Sequence, residues 1–310
     1  INIPWICPNN TEAINAILEE LRLILENHDI DGLFIDFFRY PSPYHGLTSV
    51  LSCFCDFCKA KAEEMDINWE ETRKGIKNFV KKISTLTEGK IIALKDELTI
   101  PKIFQYISHN HHLLNFFNFR QHSIASFVSE IRWLVKRSGR ELGLDIFTPS
   151  LSWLVGQDYS LLRDKCDWMK PMVYCTCLGP ACIPAEVAGL IRGLQEINPK
   201  ISDKYLLKMI SRFFDVTLTW DSLDKLNAKG FPEDLVRIET KRAKEAVENR
   251  VPIYTGIEAV ITDICSVSPF KVKDYVKLAL DGGADGVVLS WDARLIPREN
   301  LQAIREMLKY

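Results

Sequence analysis

Residues 30–43 read IDGLFIDFFRYPSP, and this stretch decides the expected fold. The short apolar run over 32–35 predicts a buried strand that ends at Asp36. Arg39, Tyr40 and Pro41 come shortly after it, and Pro41 and Pro43 stop the strand. A carboxylate and a guanidinium at the C-terminal end of a buried strand occupy the position where (β/α) barrels carry their functional groups. The alternative is an ion pair that only fixes the loop.

The same order of amphipathic helix, polar break and short apolar strand recurs along the chain. Apolar residues at helical spacing predict helices over 11–28, 122–138, 158–164, 235–248 and 271–281. Short apolar runs predict strands over 32–38, 142–147, 168–174, 252–260 and 286–292. Nearly all-apolar strands that alternate with helices pair in parallel beneath those helices. The chain is therefore expected to be α/β, and polar residues at successive strand ends favour a (β/α)8 TIM-type barrel.

The number of strands departs from this expectation. About five strands are clear, whereas a closed barrel has eight. We expect one barrel domain over 1–310, with the missing N-terminal strands either absent from this chain or unrecognised in insertions. Helix-rich insertions are predicted around 42–120, with helices near 69–83 and 88–97, and around 178–235.

Composition narrows the classes of function. Apolar residues make up 47% and charged residues 26%, which is typical of a globular protein with a substantial core. A formal charge of −2 gives no field that favours nucleic acid, and no apolar run is long enough to span a bilayer. Nine cysteines are an odd number for a disulfide framework, so a reducing, cytoplasmic location is expected. The absence of a phosphate loop or dinucleotide fingerprint predicts no organic cofactor.

Carboxylates stand at or just after the predicted strand ends, at Asp36, Asp145, Asp158, Glu258 and Asp292. Strand ends of a barrel converge on one mouth. Hydrolysis of a glycosidic bond needs two such groups across the substrate, one as acid and the other as nucleophile or base. The set predicts carbohydrate chemistry, although each residue alone could equally cap a helix.

Aromatic side chains accompany these carboxylates. Sugar rings have apolar faces that stack on aromatic rings. Stacking is therefore predicted for Tyr40, Tyr174 and Trp291, which lie next to strand ends, with core packing as the alternative. The predicted substrate-binding residues are Arg39, Tyr40, Asp145, Tyr174 and Trp291.

The run CFCDFC at 53–58 places three thiols within six residues. A tight turn can aim these thiols at one ion, and structural zinc takes four ligands. Cys7 is the best fourth candidate, and three reduced thiols are the alternative. A looser group follows the 168–174 strand, and a second metal there is the less favoured interpretation; its members are Cys175, Cys177 and Cys182. A polar, Asn-rich stretch that contains His109, His111 and His112 is expected to be an exposed loop.

Together these motifs resemble a family of glycoside-hydrolase-like (β/α)8 barrels. The resemblance lies in the 31–41 signature, in CFCDFC, and in scattered motifs at 147–159, 167–174, 255–260 and 289–292. The cysteine run is similar to the zinc cluster of zinc-containing bacterial β-galactosidases, which implies that the ligands are Cys7, Cys53, Cys55 and Cys58. The resemblance implies carboxylates on the fourth and seventh strands, here Asp36 and Glu258. Asp36 departs from the glutamate of those enzymes.

The leading prediction is a glycoside hydrolase that acts on a carbohydrate substrate. Asp36 and Glu258 are the expected catalytic pair, with Glu258 as nucleophile or base and Asp36 as acid or, as the less favoured role, nucleophile. Asp158 and Asp292 are in reserve, and Arg39 is expected to hold Asp36 and a substrate hydroxyl in place. One rival is a non-catalytic carbohydrate-binding protein on the same scaffold. It is favoured if the carboxylates are far apart or already engaged. A metal-dependent hydrolase ranks lowest, since all-cysteine sites are normally structural.

Overall fold

The computed structural model describes residues 5–87, 89–90, 105 and 108–308. In chain order the strands are β1 Gly32–Ile35, β2 Glu141–Phe147, β3 Trp168–Met172, β4 Tyr254–Glu258, β5 Ile261–Thr262, β6 Cys265–Ser266 and β7 Gly286–Ser290. The longer helices are α1 Thr11–Asn27, α2 Asp56–Glu64, α3 Trp69–Ser84, α4 His111–Arg137, α5 Ile183–Ile197, α6 Asp203–Phe214, α7 Leu223–Lys229, α8 Leu235–Ala246, α9 Pro269–Asp281 and α10 Arg298–Met307. Single turns of helix connect several of these elements.

Five of the strands form one parallel sheet in the order β1-β2-β3-β4-β7. Strands β5 and β6 form a separate antiparallel hairpin. The α/β prediction is confirmed. In the described part of the chain β1 and β7 stand at opposite edges of the sheet, so the predicted closure into a barrel is not seen there.

The alternating side chains of β2 explain how the sheet is covered. Leu142, Leu144 and Ile146 are fully buried in an apolar cluster with residues of α1, α4 and α8. Because side chains alternate along a strand, Gly143 and Asp145 face the other side of the sheet. One face of the sheet therefore packs on helices, and the opposite face carries the polar residues.

The two predicted insertions contain helices. Helix α3 agrees with the predicted 69–83 helix, whereas the predicted 88–97 helix lies outside the described residues except at 89–90. Helices α5, α6 and α7 occupy the second insertion. The predicted loop at His111 and His112 is wrong, because these residues begin the 27-residue helix α4. Its apolar residues continue the helical spacing on the N-terminal side of the predicted start.

No helix in the described ranges combines the length and the apolar character that a membrane crossing requires.

Candidate functional site

A cavity of about 510 Å³ lies where β1, β2, β3 and β7 reach their C-terminal ends. In parallel α/β sheets this edge is where ligands bind. The polar residues that line the cavity are Asp36, Arg39, Asp145, Lys170, Tyr174 and Ser290, and the aromatic ones include Phe34, Phe37 and Trp291.

The register of the strands brings these residues together. Asp145 on β2 lies opposite Lys170 on β3. Ile35 lies opposite Leu144, so Asp36 follows β1 at the level of Asp145. The Lys170 side chain needs the space beside Gly256 on β4, because a Cβ there would lie 2.5 Å from the Lys170 Cε atom.

A chain of polar contacts crosses the floor of the cavity. Lys170 Nζ donates to Asp145 Oδ2 at 2.8 Å and to the Tyr174 hydroxyl at 2.6 Å. The Ser290 hydroxyl in turn donates to the Tyr174 oxygen. Lys170 was not among the residues predicted from the sequence. Its position inside the otherwise apolar run WMKPM could have indicated a buried, paired lysine, since a buried lysine requires a partner.

Asp145 is 6% exposed, and its Oδ1 atom has no hydrogen-bond partner among the described residues. Burial raises the pKa of Asp145 to about 7, because a buried site disfavours the charged form. The neighbouring Lys170 acts in the opposite direction, and Asp36 adds to the increase. Asp145 is therefore a carboxyl group that is protonated in part near neutral pH.

Asp36 has different surroundings. The residue is exposed, and its Oδ1 atom accepts the backbone N–H of Phe37 at 2.6 Å. Phe37 has a φ angle of 58° and so turns the chain directly after Asp36. The cavity therefore has one exposed carboxylate and one buried carboxyl group on adjacent strands.

Glu258 is not among the residues that line this cavity. Glu258 is fully buried, and its carboxylate accepts the backbone N–H groups of Cys175, Thr176 and Cys177 at 3.1, 2.8 and 2.6 Å. Burial raises its pKa, although these bonds act against that increase. Glu258 has no exposed surface and does not line the cavity, so a substrate bound in the cavity would not contact its carboxylate. The geometry therefore does not support the predicted pairing of Glu258 with Asp36 at one cavity.

The two reserve carboxylates serve as helix caps. Asp158 accepts the Leu161 N–H at 3.0 Å at the start of a single helical turn. Asp292 accepts from the Arg294 backbone and side chain, and these bonds lower its pKa to about 2. Neither residue lines the cavity.

The predicted sugar-stacking aromatics divide into two groups. Tyr174 and Trp291 line the cavity, with ring centroids 6.4 Å apart, and Trp291 is 45% exposed. Tyr40 does not line it. Tyr40 is 2% exposed and packs against the guanidinium of Arg120, whose Cζ atom lies 4.2 Å from the ring centroid. For Tyr40, the core-packing alternative fits this position.

Two further buried glutamates hold neighbouring loops at the same edge of the sheet. Glu186 of α5 accepts from Ser42 Oγ and the Tyr44 N–H, in the loop after β1. Glu239 of α8 accepts from Thr148 Oγ1 and the Ser150 N–H, just after β2. Neither glutamate was predicted from the sequence, because a glutamate within a helical pattern normally indicates an exposed face.

The predicted cysteine cluster is present. The Sγ atoms of Cys7, Cys53, Cys55 and Cys58 all lie within 4.8 Å of one another, and four of the six pairs are separated by 3.4 to 3.8 Å. Four sulfurs arranged tetrahedrally at 2.3 Å from one zinc would be separated by roughly 3.8 Å. Asn9 adds outer hydrogen bonds, from its backbone N–H to Cys7 and from its side chain to Cys58. The donor set therefore fits a metal ion.

The looser cysteine group forms a different arrangement. Cys177 is joined to Cys265 by a disulfide, and Cys175 and Cys182 are buried free thiols. This bond was not expected from the sequence, since Cys265 lies 88 residues away. It links the loop after β3 to the β5–β6 hairpin, whose Ile264 lines the cavity. The cytoplasmic location remains a prediction.

The fold and the cavity define an α/β protein with a polar pocket at the C-terminal edge of a parallel sheet. No protein-family model and no curated protein matches the sequence. Among solved structures the chain is similar to a chitinase from Chromobacterium violaceum ATCC 12472, with a TM-score of 0.38 and 13% identity. The match covers 61% of this chain and 62% of the chitinase chain, so it spans less than two thirds of that protein.

Proposed function

We propose that the chain is a glycoside hydrolase in which Asp36 and Asp145 are the reacting carboxyl groups. The observation that carries the proposal is that one cavity holds two carboxyl groups with opposite surroundings. Glycosidases need one group that stays protonated and one that stays ionised, and different environments are what separate the two roles. Asp36 remains one member of the pair, but as nucleophile or base rather than as the acid expected first from the sequence. Asp145 replaces Glu258 as the second member and takes the role of acid.

Asp145 suits the role of general acid. Its pKa of about 7 keeps part of the population protonated at neutral pH, and its Oδ1 atom has no partner within the described protein. A protonated Oδ1 would donate to the oxygen of the leaving group. Lys170 holds the other oxygen, Oδ2, and so fixes the orientation of the carboxyl group.

Asp36 suits the role of nucleophile or base because it is exposed, and among the described residues only its Oδ1 is engaged, by the Phe37 N–H. Adjacent parallel strands lie roughly 4.8 Å apart. Carboxyl groups at the same level of two such strands, as Asp36 and Asp145 are, would be closer to the separation of about 5 Å in retaining enzymes than to that of inverting enzymes. The expected reaction proceeds with retention, with Trp291 as the stacking surface for a sugar ring.

One observation favours the non-catalytic carbohydrate-binding alternative. The Asp145 carboxylate is already 2.8 Å from the ammonium group of Lys170. An ionised Asp145 held by that contact would bind a sugar hydroxyl and would donate no proton. The two functions share the cavity and differ in the protonation state of Asp145.

The deciding experiment measures turnover of a broad panel of aryl glycosides and polysaccharides. We expect Asp145→Asn and Asp36→Asn each to lower kcat/KM by roughly 100- to 10,000-fold. Asp164→Asn, at an exposed residue paired with Arg250, is the matched control and should retain wild-type turnover. Wild-type kcat/KM should fall as the pH rises above about 7, because the acid then loses its proton.

The leaving group separates the two roles. A dinitrophenyl leaving group needs no proton, so it should restore much of the turnover of Asp145→Asn and little of that of Asp36→Asn. If the wild type cleaves nothing and yet binds sugars, the binding-protein alternative is correct.

We further propose that the cysteine cluster holds one structural zinc ion. Thiolates are the ligands that zinc prefers in closed structural sites, and four protein ligands leave no position for a substrate. The ion would tie Cys7 in the N-terminal segment to the 53–58 turn after β1. The ion would be structural: it would hold these two segments together and would take no part in the proposed reaction of Asp36 and Asp145.

A further inference from the structure

Arg39 is a buried cation that no anion contacts among the described residues. It is 5% exposed, and within the described part of the chain its one hydrogen bond runs from Nη1 to the Tyr40 carbonyl oxygen at 3.4 Å. Its Nε has no partner, and no described carboxylate oxygen lies within 4.0 Å of the guanidinium. A guanidinium has five N–H donors, and leaving them unfilled in a buried site is costly.

Aromatic rings hold this guanidinium in place. Its Cζ atom lies 4.8 Å from the Trp5 ring centroid, 4.9 Å from that of Phe37 and 4.6 Å from that of Phe147. Ring faces attract a cation without supplying lone pairs to its N–H groups in the way that an oxygen acceptor does. The three rings therefore fix the position of the guanidinium and leave its N–H groups available to bond to a ligand.

In the described part of the chain, the other charged residues of the cavity do not accept hydrogen bonds from the Arg39 guanidinium. Asp145 and Lys170 pair with each other. The carboxyl groups of Glu186, Asp36 and Asp145 attract Arg39, with Glu186 the strongest, but in the described part of the chain none lies within the 4.0 Å of an ion pair. The expected contact between Arg39 and Asp36 is therefore not formed there. Glu186 accepts from Ser42, Tyr44 and Ala181 instead, and Asp36 accepts the Phe37 N–H. Arg39 borders both this cavity and a neighbouring one of about 390 Å³, so a ligand can approach it from the cavity side.

We propose that Arg39 receives an anionic substituent of the sugar, a carboxylate or a sulfate, and that the substrate is an acidic carbohydrate. Both groups present oxygens that match the fork of a guanidinium. The inference rests on the proposed function and names its substrate class. Lys170 adds a second positive charge to the same cavity.

Binding rather than turnover tests this inference. Calorimetry would compare methyl glucuronide and galacturonide with methyl glucoside and galactoside, and with the 6-sulfates of the two neutral sugars. We expect the wild type to bind one acidic sugar roughly ten- to a hundredfold more tightly than its neutral counterpart, since the difference is one charge-assisted contact. Preference for the uronide or for the sulfate identifies which anion is recognised.

Variants then locate the preference. The ratio of acidic to neutral affinity should fall towards one in Arg39→Gln, and should fall in part in Arg39→Lys, which retains the charge but not the fork. Arg294→Gln changes an exposed arginine outside the cavity and should leave the ratio unchanged. If Arg39→Gln does not fold, the affinity ratios of Arg39→Lys and of the wild type still test whether Arg39 recognises the anionic group.

The possible outcomes separate the two proposals. Neutral sugars that bind as tightly as acidic ones overturn the acidic-substrate inference and leave the glycosidase proposal standing. An unchanged ratio in both Arg39 variants also overturns it. Failure of every sugar to bind contradicts the proposed function itself.

Discussion

Asp36 and Asp145 carry the same functional group on adjacent strands, and their surroundings separate them. Asp36 lies at an exposed turn, whereas Asp145 is buried beside Lys170. Removal from water disfavours the ionised carboxylate, and the lysine compensates for this only in part. Single residues of this kind acquire their roles from neighbours that are distant in sequence.

The raised pKa of Asp145 predicts a pH dependence of stability that needs no substrate. In the unfolded chain its pKa is near 3.9. Between that value and about 7 the folded protein holds the proton more tightly, so this residue's stabilising contribution is complete below about pH 4 and is lost as the pH rises to about 7. The slope is at most about 1.4 kcal/mol per pH unit.

Urea unfolding of the wild type and of Asp145→Asn between pH 4 and 8 measures this effect. The free energy of unfolding of the wild type should decrease relative to that of the variant as the pH rises. Parallel pH profiles for the two proteins would show that Asp145 is ionised throughout, and would favour the sugar-binding alternative.

At the scale of elements, three fully buried glutamates fix the loops that surround the cavity. Glu186, Glu239 and Glu258 hold the loops after β1, β2 and β3, respectively, mainly through backbone N–H and hydroxyl groups. Loop N–H groups left without an acceptor in a buried place are costly, so each carboxylate stabilises one wall of the site. Glu258 thereby supports the cavity from outside it.

Substitution of Glu258 tests whether its role is structural. Glu258→Gln replaces one acceptor oxygen by an amide that must face a backbone N–H, so we expect a loss of about 1–3 kcal/mol in the free energy of unfolding. Glu245→Gln, at an exposed residue of the same type, should change it little. Wild-type stability together with abolished turnover in Glu258→Gln would instead restore the catalytic role predicted from the sequence.

At the scale of the whole molecule, the cysteine cluster connects segments that are far apart in the chain. Cys7 precedes α1, whereas Cys53, Cys55 and Cys58 follow the loop after β1. Arg120 of α4 is 1% exposed, its guanidinium lies over the Tyr40 ring, and its positive charge interacts favourably with Cys53 and Cys58 of the cluster. A tetrathiolate zinc site has a formal charge of −2, so a buried cation nearby is electrostatically favourable.

Metal removal tests the role of this cluster. We expect one zinc per chain by elemental analysis, and chelation or Cys58→Ser should lower the Tm by several degrees or prevent folding. Cys166→Ser changes a buried thiol outside the cluster and should leave the zinc content unchanged. A fully folded, metal-free protein that keeps the wild-type Tm would contradict a structural ion. If that protein lost only its activity, the metal-dependent hydrolase would return as the better interpretation.

Sequence by itself determined the features that depend on local pattern. The five strands of the sheet and the helices between them could be predicted from apolar periodicity. The place of Asp36 and Arg39 just after β1 could be predicted from the short apolar run that stops before Pro41. The four-cysteine cluster was predictable because three of its members lie within six residues. Local spacing fixes these properties before any long-range contact forms.

Tertiary structure alone decided which of the polar residues meet. Strand register places Lys170 against Asp145, and a loop 82 residues away uses Glu258 as its acceptor. The packing of the chain also buries Tyr40 and leaves Trp291 exposed, although both residues follow strand ends. A position in the sequence specifies where a side chain begins, whereas burial and hydrogen-bond partners depend on the packing of distant segments. The chemistry of this cavity is determined by those contacts.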